Sequence, residues 1–399
     1  MAQKSLQDLF DIFLNQQPLF IKKEALQETH TPENVPHREE QVKQLATILV
    51  HTLRGEKPSN IFIYGKTGTG KTLVSKFICG EIGKRAKTHG LNLIALYLNC
   101  KIDKINTPYR LFAHILYQLG EQVPVTGLPT EEVYRKFIQT LDKNKSTFIL
   151  ILDEIDSLTD TSTLYNLTRV NTQLQNSRVS LIGISNSSGF TNNLDPRIRS
   201  SLSEEELVFP PYNAPQLKDI LFKRAEIALR PGVLEEGVIE KCAALAAQEH
   251  GDARRALDLL RVAVELAERN GEPSVTINHV DTAQKKIDTD RVVEIIKTQP
   301  RQSQLVLYSI IYLKDLEKGD ISTGDIFEIY GKLCKKYNLT PLTQRRVSDL
   351  ISELEMLGLI GANIISKGRY GRTRTISLDV VGTALEKGRE ILKYELARA

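Results

Sequence analysis

Gly65-Lys66-Thr67-Gly68-Thr69-Gly70-Lys71-Thr72 follows the apolar run Ile61-Phe62-Ile63-Tyr64 and leads into the helical pattern Leu73–Ile82. Strand, glycine-rich turn and helix start, in that order, predict a loop whose backbone N–H groups turn inward around an anion at a helix N-terminus. Lys71 then supplies a cation to the β- and γ-phosphates, and the Thr72 hydroxyl is suited to Mg²⁺. The stretch predicts a nucleoside triphosphate site. A left-handed turn between a strand and a helix would also use glycines, but it would not require these flanks.

The pattern around the loop predicts an open parallel sheet. A helical segment at Arg38–Leu53 precedes the strand at 60–64, and strands at 93–98, 147–152 and 179–184 recur with helical segments between them. Phe148-Ile149-Leu150-Ile151-Leu152 is apolar throughout, as a strand covered on both faces requires. After Phe209-Pro210-Pro211-Tyr212 the strand signals stop, and helical patterns at 214–229, 235–249, 252–269 and 277–287 predict an all-helical second domain. A third unit begins near Thr298-Gln299-Pro300, with helical patterns at 302–316, 323–336 and 343–357 and then a hairpin over 359–378. Three helices followed by a β-ribbon is the order of a winged helix. The expected division is an N-terminal arm at 1–36, a nucleotide-binding domain at 37–212, a helical lid at 213–290 and a winged helix at 291–399.

Composition narrows the class. A chain of 399 residues with 41% hydrophobic and 26% charged residues has enough apolar surface for two or three cores. No apolar run approaches the ~18 residues of a membrane span, and the start lacks the order of a signal peptide, so a cytoplasmic protein without a membrane partner is expected. The four cysteines, Cys79, Cys100, Cys242 and Cys334, stand singly, without the spacing of a zinc site or a disulfide framework. The net charge of +4 is uneven: from Arg291 onward 18 Lys and Arg face 13 Asp and Glu, which leaves 35 against 36 for residues 1–290. The last quarter carries the basic excess, where a nucleic-acid contact would use it.

Asp153-Glu154 closes the central strand, and in an open parallel sheet the strand C-termini line the ligand crevice. Asp153 is expected to hold Mg²⁺ with Thr72, and Glu154 to orient and polarise a water for in-line phosphoryl transfer. A helix N-cap with acidic neighbours is the competing reading. Asn186, after the strand ending at Ile184, is a candidate sensor of the γ-phosphate, or otherwise a turn residue. Gly251-Asp252-Ala253-Arg254 begins a lid helix, from which Arg254 could reach the γ-phosphate when the two domains close.

Phosphate loop, Asp-Glu pair, strand-end Asn and Gly-Asp-x-Arg in a helical lid resemble the AAA+ ATPases in kind and order. With Val35-Pro36-His37-Arg38-Glu39 before the fold, Val208-Phe209-Pro210-Pro211-Tyr212-Asn213 before the lid and a winged helix after it, residues 15–399 resemble the archaeal Orc1/Cdc6-type replication initiators. The resemblance implies an α/β AAA+ P-loop core with a parallel sheet, an all-helical lid and a C-terminal winged-helix domain. It also implies ATP and ADP as nucleotides, with slow hydrolysis acting as a switch. Expected partners are double-stranded origin DNA, a replicative MCM-type helicase and other Orc1/Cdc6-type subunits, in association with the nucleoid. Val35, Pro36, His37 and Arg38 would contact adenine and ribose, and Tyr212 and Arg224 would complete the pocket. Arg224 as a surface cation is the alternative. A trans-acting arginine finger is expected near Asp195–Ser201, where Ser200-Ser201 replaces the usual Ser-Arg and leaves Arg197 and Arg199 as candidates.

For DNA, the third helix of the last unit opens Thr343-Gln344-Arg345-Arg346-Val347-Ser348. Val347, Leu350, Ile351, Leu354 and Leu357 fit one buried stripe, which leaves Gln344, Arg345 and Ser348, together with Arg346, for bases and phosphates. The hairpin carries Lys367, Arg369, Tyr370, Arg372 and Arg374, suited to phosphates or a narrowed minor groove, or else to keeping an edge strand solvated. The resemblance adds Tyr109 and Arg110, in an insertion expected to touch DNA; Tyr109 and Phe112 fit the core of an amphipathic helix equally well. Competing functions are a clamp-loader-like subunit, favoured by a collar-like helical C-terminus, and a winged-helix signalling or transcriptional ATPase, separable by which duplex is protected.

Overall fold

The computed structural model describes residues 17–397 apart from 29, 31, 33, 125, 126, 159, 161, 188, 317–320, 367–371 and 381. They form two compact units, one ending at Val280 and the other starting at Asp281.

The first unit is built on five parallel strands, β1 (Ile61–Tyr64), β2 (Leu93–Asn99), β3 (Thr147–Asp153), β4 (Arg178–Ser185) and β5 (Glu205–Val208), in the order β2-β3-β4-β1-β5. Alternation along the strands fills two cores. Phe62, Phe148, Leu150 and Leu152 point to one face, with Phe112 and Phe137 of helices α3 (Pro108–Gln118) and α4 (Thr130–Lys143). Ile61, Ile63, Ile149 and Ile151 point to the other, with Leu45 and Leu49 of α1 (Glu39–Leu49) and Val74 and Ile78 of α2 (Lys71–Thr88). Two-sided burial explains why β3 reads as an unbroken apolar run. Edge strand β5 was outside the expectation because only Leu207 of Glu205-Glu206-Leu207-Val208 is buried; the glutamates keep this edge charged.

Two short helices, α5 (Ser162–Thr168) and α6 (Pro196–Leu202), complete this part. The lid follows as α7 (Ala214–Ala228), α8 (Val238–Gln248) and α9 (Ala253–Asn270), then α10 (Ile277–Thr298). Asn213 and Gln216 form a reciprocal capping box with Pro215 in the first turn, so the Pro-Tyr-Asn-Ala-Pro sequence fixes where α7 starts. The expected helix 277–287 continues to Thr298.

The second unit contains α11 (Arg301–Asp315), β6 (Ile321–Ser322), α12 (Thr323–Lys336), α13 (Gln344–Met356), the hairpin β7 (Ile360–Ser366) and β8 (Arg372–Leu378), and α14 (Thr383–Ala397). The small antiparallel sheet runs β6-β8-β7. Tyr330 of α12 is fully buried in the core of this unit; its hydroxyl donates to Gln302 and accepts from the Leu342 amide at 3.0 Å. β6 and α14 add to the expected three helices and ribbon. All four cysteines are buried free thiols, and among the described residues no helix is long and apolar enough to cross a membrane.

Candidate nucleotide site and nucleic-acid interface

Strand order assembles the site. β4 lies between β1, which leads into the phosphate loop, and β3, which ends in Asp153, so the residue after β4 falls between the two motifs. Asn186 occupies that place, and its Oδ1 accepts from Lys71 Nζ at 2.9 Å. Lys71 Nζ also donates to the carbonyl oxygens of Gly65 and Lys66, each at 2.7 Å. Burial pushes the Lys71 ammonium down to about 8, and the Arg254 charge acts in the same direction against the pull of Asp153, Asp252 and Asp156. An ammonium hydrogen-bonded to three uncharged acceptors has its carboxylates only at longer range, and a phosphate would supply a counter-charge in direct contact.

Thr72 Oγ1 donates to Asp153 Oδ2 at 2.6 Å, and the Glu154 amide donates to Asp153 Oδ1 at 2.9 Å. A hydroxyl and a carboxylate side by side are oxygen ligands of the kind Mg²⁺ takes. Glu154 has φ 51°, a left-handed conformation that turns the chain sharply after β3, and its carboxylate lies 3.9 Å from Lys101 Nζ. With loop glycines at positive φ and a buried lysine beside that pair, the residues fit a magnesium–nucleoside triphosphate.

The lid reaches the loop through the start of α9. Asp252 caps this helix, accepting from the amides of Arg254 at 2.8 Å and Arg255 at 3.4 Å, while the Ala253 amide donates to the Gly68 carbonyl at 3.2 Å. Gly68, at φ 66°, leaves no room for a side chain: a Cβ there would lie 1.6 Å from Asp252 Oδ1. Gly251, at φ 69°, is equally constrained, since a Cβ would stand 2.3 Å from the Tyr212 carbonyl oxygen. The Arg254 guanidinium is half-exposed and lies 3.6 Å from Glu28 of the arm. Lys66 Nζ stands 3.5 Å from His250 Nδ1 of the lid, Thr67 is exposed, and Thr69 is buried with its hydroxyl on the Lys66 carbonyl at 2.9 Å. Gly70 faces the Tyr212 hydroxyl.

The residues expected around adenine and ribose take varied positions. Val35 is buried in the core beside Leu45 and Leu49, Pro36 is half-buried, and His37, at φ 62°, pairs with Asp219 of the lid at 3.1 Å. Arg38 is 2% exposed. It donates to the carbonyls of Thr69 at 2.9 Å and Pro210, and lies over the Tyr212 ring at 3.8 Å, so it clasps the phosphate loop to the lid entrance. Arg224 is a buried cation rather than a surface one: it donates to the carbonyls of Ala25 at 3.0 Å and His30 at 3.1 Å, fastening the arm. Arg197 and Arg199 are both exposed on α6, which Asp195 caps, and Arg199 borders a recess with Ser203 and Glu206.

Two residues of this site had no role in the sequence reading. Tyr97 donates from β2 to Asp153 Oδ2 at 2.9 Å, and Asp252 joins the lid to the loop. For Tyr97 the legible signal was position: a polar side chain near the C-terminal end of the expected strand 93–98.

In the second unit, Gln344, Arg345 and Arg346 are exposed at the start of α13 and Ser348 is half-buried, while Val347, Leu350, Ile351 and Leu354 form the buried stripe. Leu357, expected on that stripe, is 39% exposed at the C-cap. Arg346 leans along its own helix to Asp349 at 3.8 Å and Glu353 at 3.5 Å. Arg374 of β8 donates to Ser352 Oγ at 2.7 Å, tying the ribbon to α13. Arg372 opens β8 opposite Ser366; Lys367, Arg369 and Tyr370 lie outside the described residues. In the first unit Tyr109 is half-buried with its hydroxyl on the Pro124 carbonyl, Phe112 is fully buried 5.0 Å from both Tyr134 and Phe137, and Arg110 is exposed with bonds to the Lys104 carbonyl and Asn106.

Three family descriptions match consecutive parts of the chain: an AAA ATPase domain at residues 34–182, a Cdc6 AAA+ ATPase-type lid domain at 218–285, and a CDC6 C-terminal winged helix domain at 294–387. The chain is 52% identical to an ORC1-type DNA replication protein of Pyrococcus abyssi, over 99% of this chain and 95% of the relative. It is 51% identical to ORC1-type DNA replication protein 1 of Methanosarcina acetivorans, over 98% and 94%. Among solved structures, Aeropyrum pernix ORC1 in complex with DNA superposes with a TM-score of 0.86 at 46% identity, over 96% of this chain and 100% of that one. Cdc6p of Pyrobaculum aerophilum shares the fold, with a TM-score of 0.61 at 22% identity over 95% of this chain and 99% of that one.

Proposed function

The chain belongs to the ORC1-type DNA replication proteins, and on that premise we propose that it recognises duplex DNA at replication origins, helps recruit the replicative helicase and is switched by its nucleotide state. In this reading the exposed Gln344 and Arg345 at the start of α13, with the basic ribbon, read the duplex, and Tyr109 and Arg110 add a contact from the ATPase part. Lys71 binds the β- and γ-phosphates, Asn186 and Arg254 respond to the γ-phosphate, and Glu154 orients the attacking water. Thr72 and Asp153 would hold Mg²⁺, which when bound neutralises phosphate charge. Arg197 or Arg199 would act on the site of a neighbouring subunit, with Ser200-Ser201 in place of the usual Ser-Arg making turnover slow.

The observation that carries the switch is the docking of α9 on the phosphate loop. A loop whose Gly68 carbonyl and Cα are in contact with Ala253 and Asp252 cannot rearrange around a phosphate without affecting the lid. A switch also requires ATP and ADP to bind its states with different affinities. Measuring affinity for an origin duplex with ATP and with ADP tests the proposal: a difference is expected, and equal affinities with equal helicase recruitment would refute it. Footprinting at origins against promoters separates an initiator from a transcriptional regulator.

A further inference from the structure

Asp153 has a polar neighbour on a strand outside the phosphate-binding motifs. The Tyr97 hydroxyl donates to Asp153 Oδ2 at 2.9 Å, the same oxygen that accepts from Thr72 Oγ1 at 2.6 Å, while Oδ1 accepts from the Glu154 amide. Both oxygens of a residue only 6% exposed are thus held. Tyr97 stands two residues before Asn99, the register partner of Asp153, and alternation turns it away from Leu96 and Leu98, which enter the opposite core. Lys76 Nζ lies 3.5 Å from the centre of its ring. Lys76 follows Thr72 by four residues on α2, so one helix face supplies both the Thr72 hydroxyl and the cation over the ring.

We infer that Tyr97 is a positioning residue, which holds Asp153 Oδ2 toward Thr72 and thereby sets the affinity of the site for the divalent cation that accompanies the nucleotide. The inference rests on the nucleotide reading of this site. A carboxylate at a strand end can rotate about its side-chain bonds, and the phenol, a donor at neutral pH, selects the rotamer that faces Thr72. With two bonds on Oδ2 and one on Oδ1, the capacity left for a cation lies on Oδ1. Donors behind a metal ligand typically change metal affinity by about 10- to 100-fold.

The test titrates Mg²⁺ into the full-length protein with a fluorescent ATP analogue, reading the half-point of the Mg²⁺-dependent gain in affinity beside the affinity in EDTA. Tyr97→Phe keeps the ring and its packing; it should raise the half-point about tenfold while leaving the EDTA affinity within about twofold of the wild type. Thr72→Ala, which removes a ligand hydroxyl, should raise it as well and serves as the positive control. Lys76→Ala, at an exposed position, frees the ring from the other side and should move the half-point in the same direction, so the inference remains testable if Tyr97→Phe folds poorly. An unchanged half-point in Tyr97→Phe while Thr72→Ala shifts it overturns the inference and spares the site reading. Equal losses with and without Mg²⁺ would make Tyr97 merely structural and overturn it too. Wild-type protein that binds nucleotide with no dependence on Mg²⁺ would overturn both.

Discussion

Gly68→Ala should release the lid from the phosphate loop. The new Cβ would lie 1.6 Å from Asp252 Oδ1 and 2.1 Å from its Cγ, so the carboxylate must leave the position from which it caps α9. Losing that cap costs about 1 kcal/mol. Separating the Ala253 amide from the Gly68 carbonyl removes a hydrogen bond worth about 1 kcal/mol net. Opening of the first turn of α9 should therefore become easier by about 2 kcal/mol, or roughly 30-fold. Left-handed strain at φ 66° adds about 1 kcal/mol against the loop itself. Hydrogen exchange read on peptides covering residues 253–257 measures the opening directly, because the amides of Ala253, Arg254 and Arg255 all bond to groups that the substitution displaces. Asp252→Ala alone should cost the cap, and Gly68→Ala added to it should ease the opening of α9 little further, since no carboxylate remains to be displaced and the left-handed strain falls on the loop. The double variant should fall about 1 kcal/mol or more below the sum of the singles; additivity within about 0.5 kcal/mol would refute the clash as the cause.

Lys71 gives a pH dependence whose sign follows from its burial. Its pKa of about 8 lies below the 10.5 of an exposed lysine, so the unfolded chain holds more protons between those values and stability rises there with pH. Binding of a polyanion runs the other way, and ADP affinity measured from pH 7 upward should fall as pH passes about 8; a flat profile would refute the assignment. Arg345→Ala should lower the slope of log affinity for duplex DNA against log salt by about 0.9, with Arg346→Ala smaller because Asp349 and Glu353 already share its charge; a larger effect at Arg346 would reverse that reading. Arg224→Met strips the only guanidinium donors described on the Ala25 and His30 carbonyls, costing about 1–3 kcal/mol, and should speed limited proteolysis around residues 23–30; unchanged cleavage would show the arm to be held by other contacts.

Much of the site was readable in the chain because its motifs are local. The phosphate loop, the Asp153-Glu154 strand end and Asn186 each depend on a strand running into a turn, and apolar alternation marks those strands whatever surrounds them. The same holds for α13, whose stripe and exposed first turn lie within one helix. Elements with little apolar content were less visible: β5 buries one residue and β6 has only two. For α14, Gly388, Leu392 and Leu396 at four-residue spacing were a usable sign, but the elements expected within 291–399 ended with the hairpin.

Residue types at fixed spacing thus determined the AAA+ core, the helical lid, the winged helix and which element ends carry Lys71, Thr72 and Asp153. Tertiary structure alone decided the partners of side chains that any of several groups could satisfy. Arg38 and Arg224 are both buried, and their guanidinium groups bond carbonyls that the fold places in the loop and in the arm. Tyr97 meets Asp153 across 56 residues because β2 and β3 pair in one register, and Asp252 meets Gly68 because the lid folds back over the loop. Spacing encodes contacts within a turn or a strand; contacts between them depend on register and packing, which the whole core sets at once.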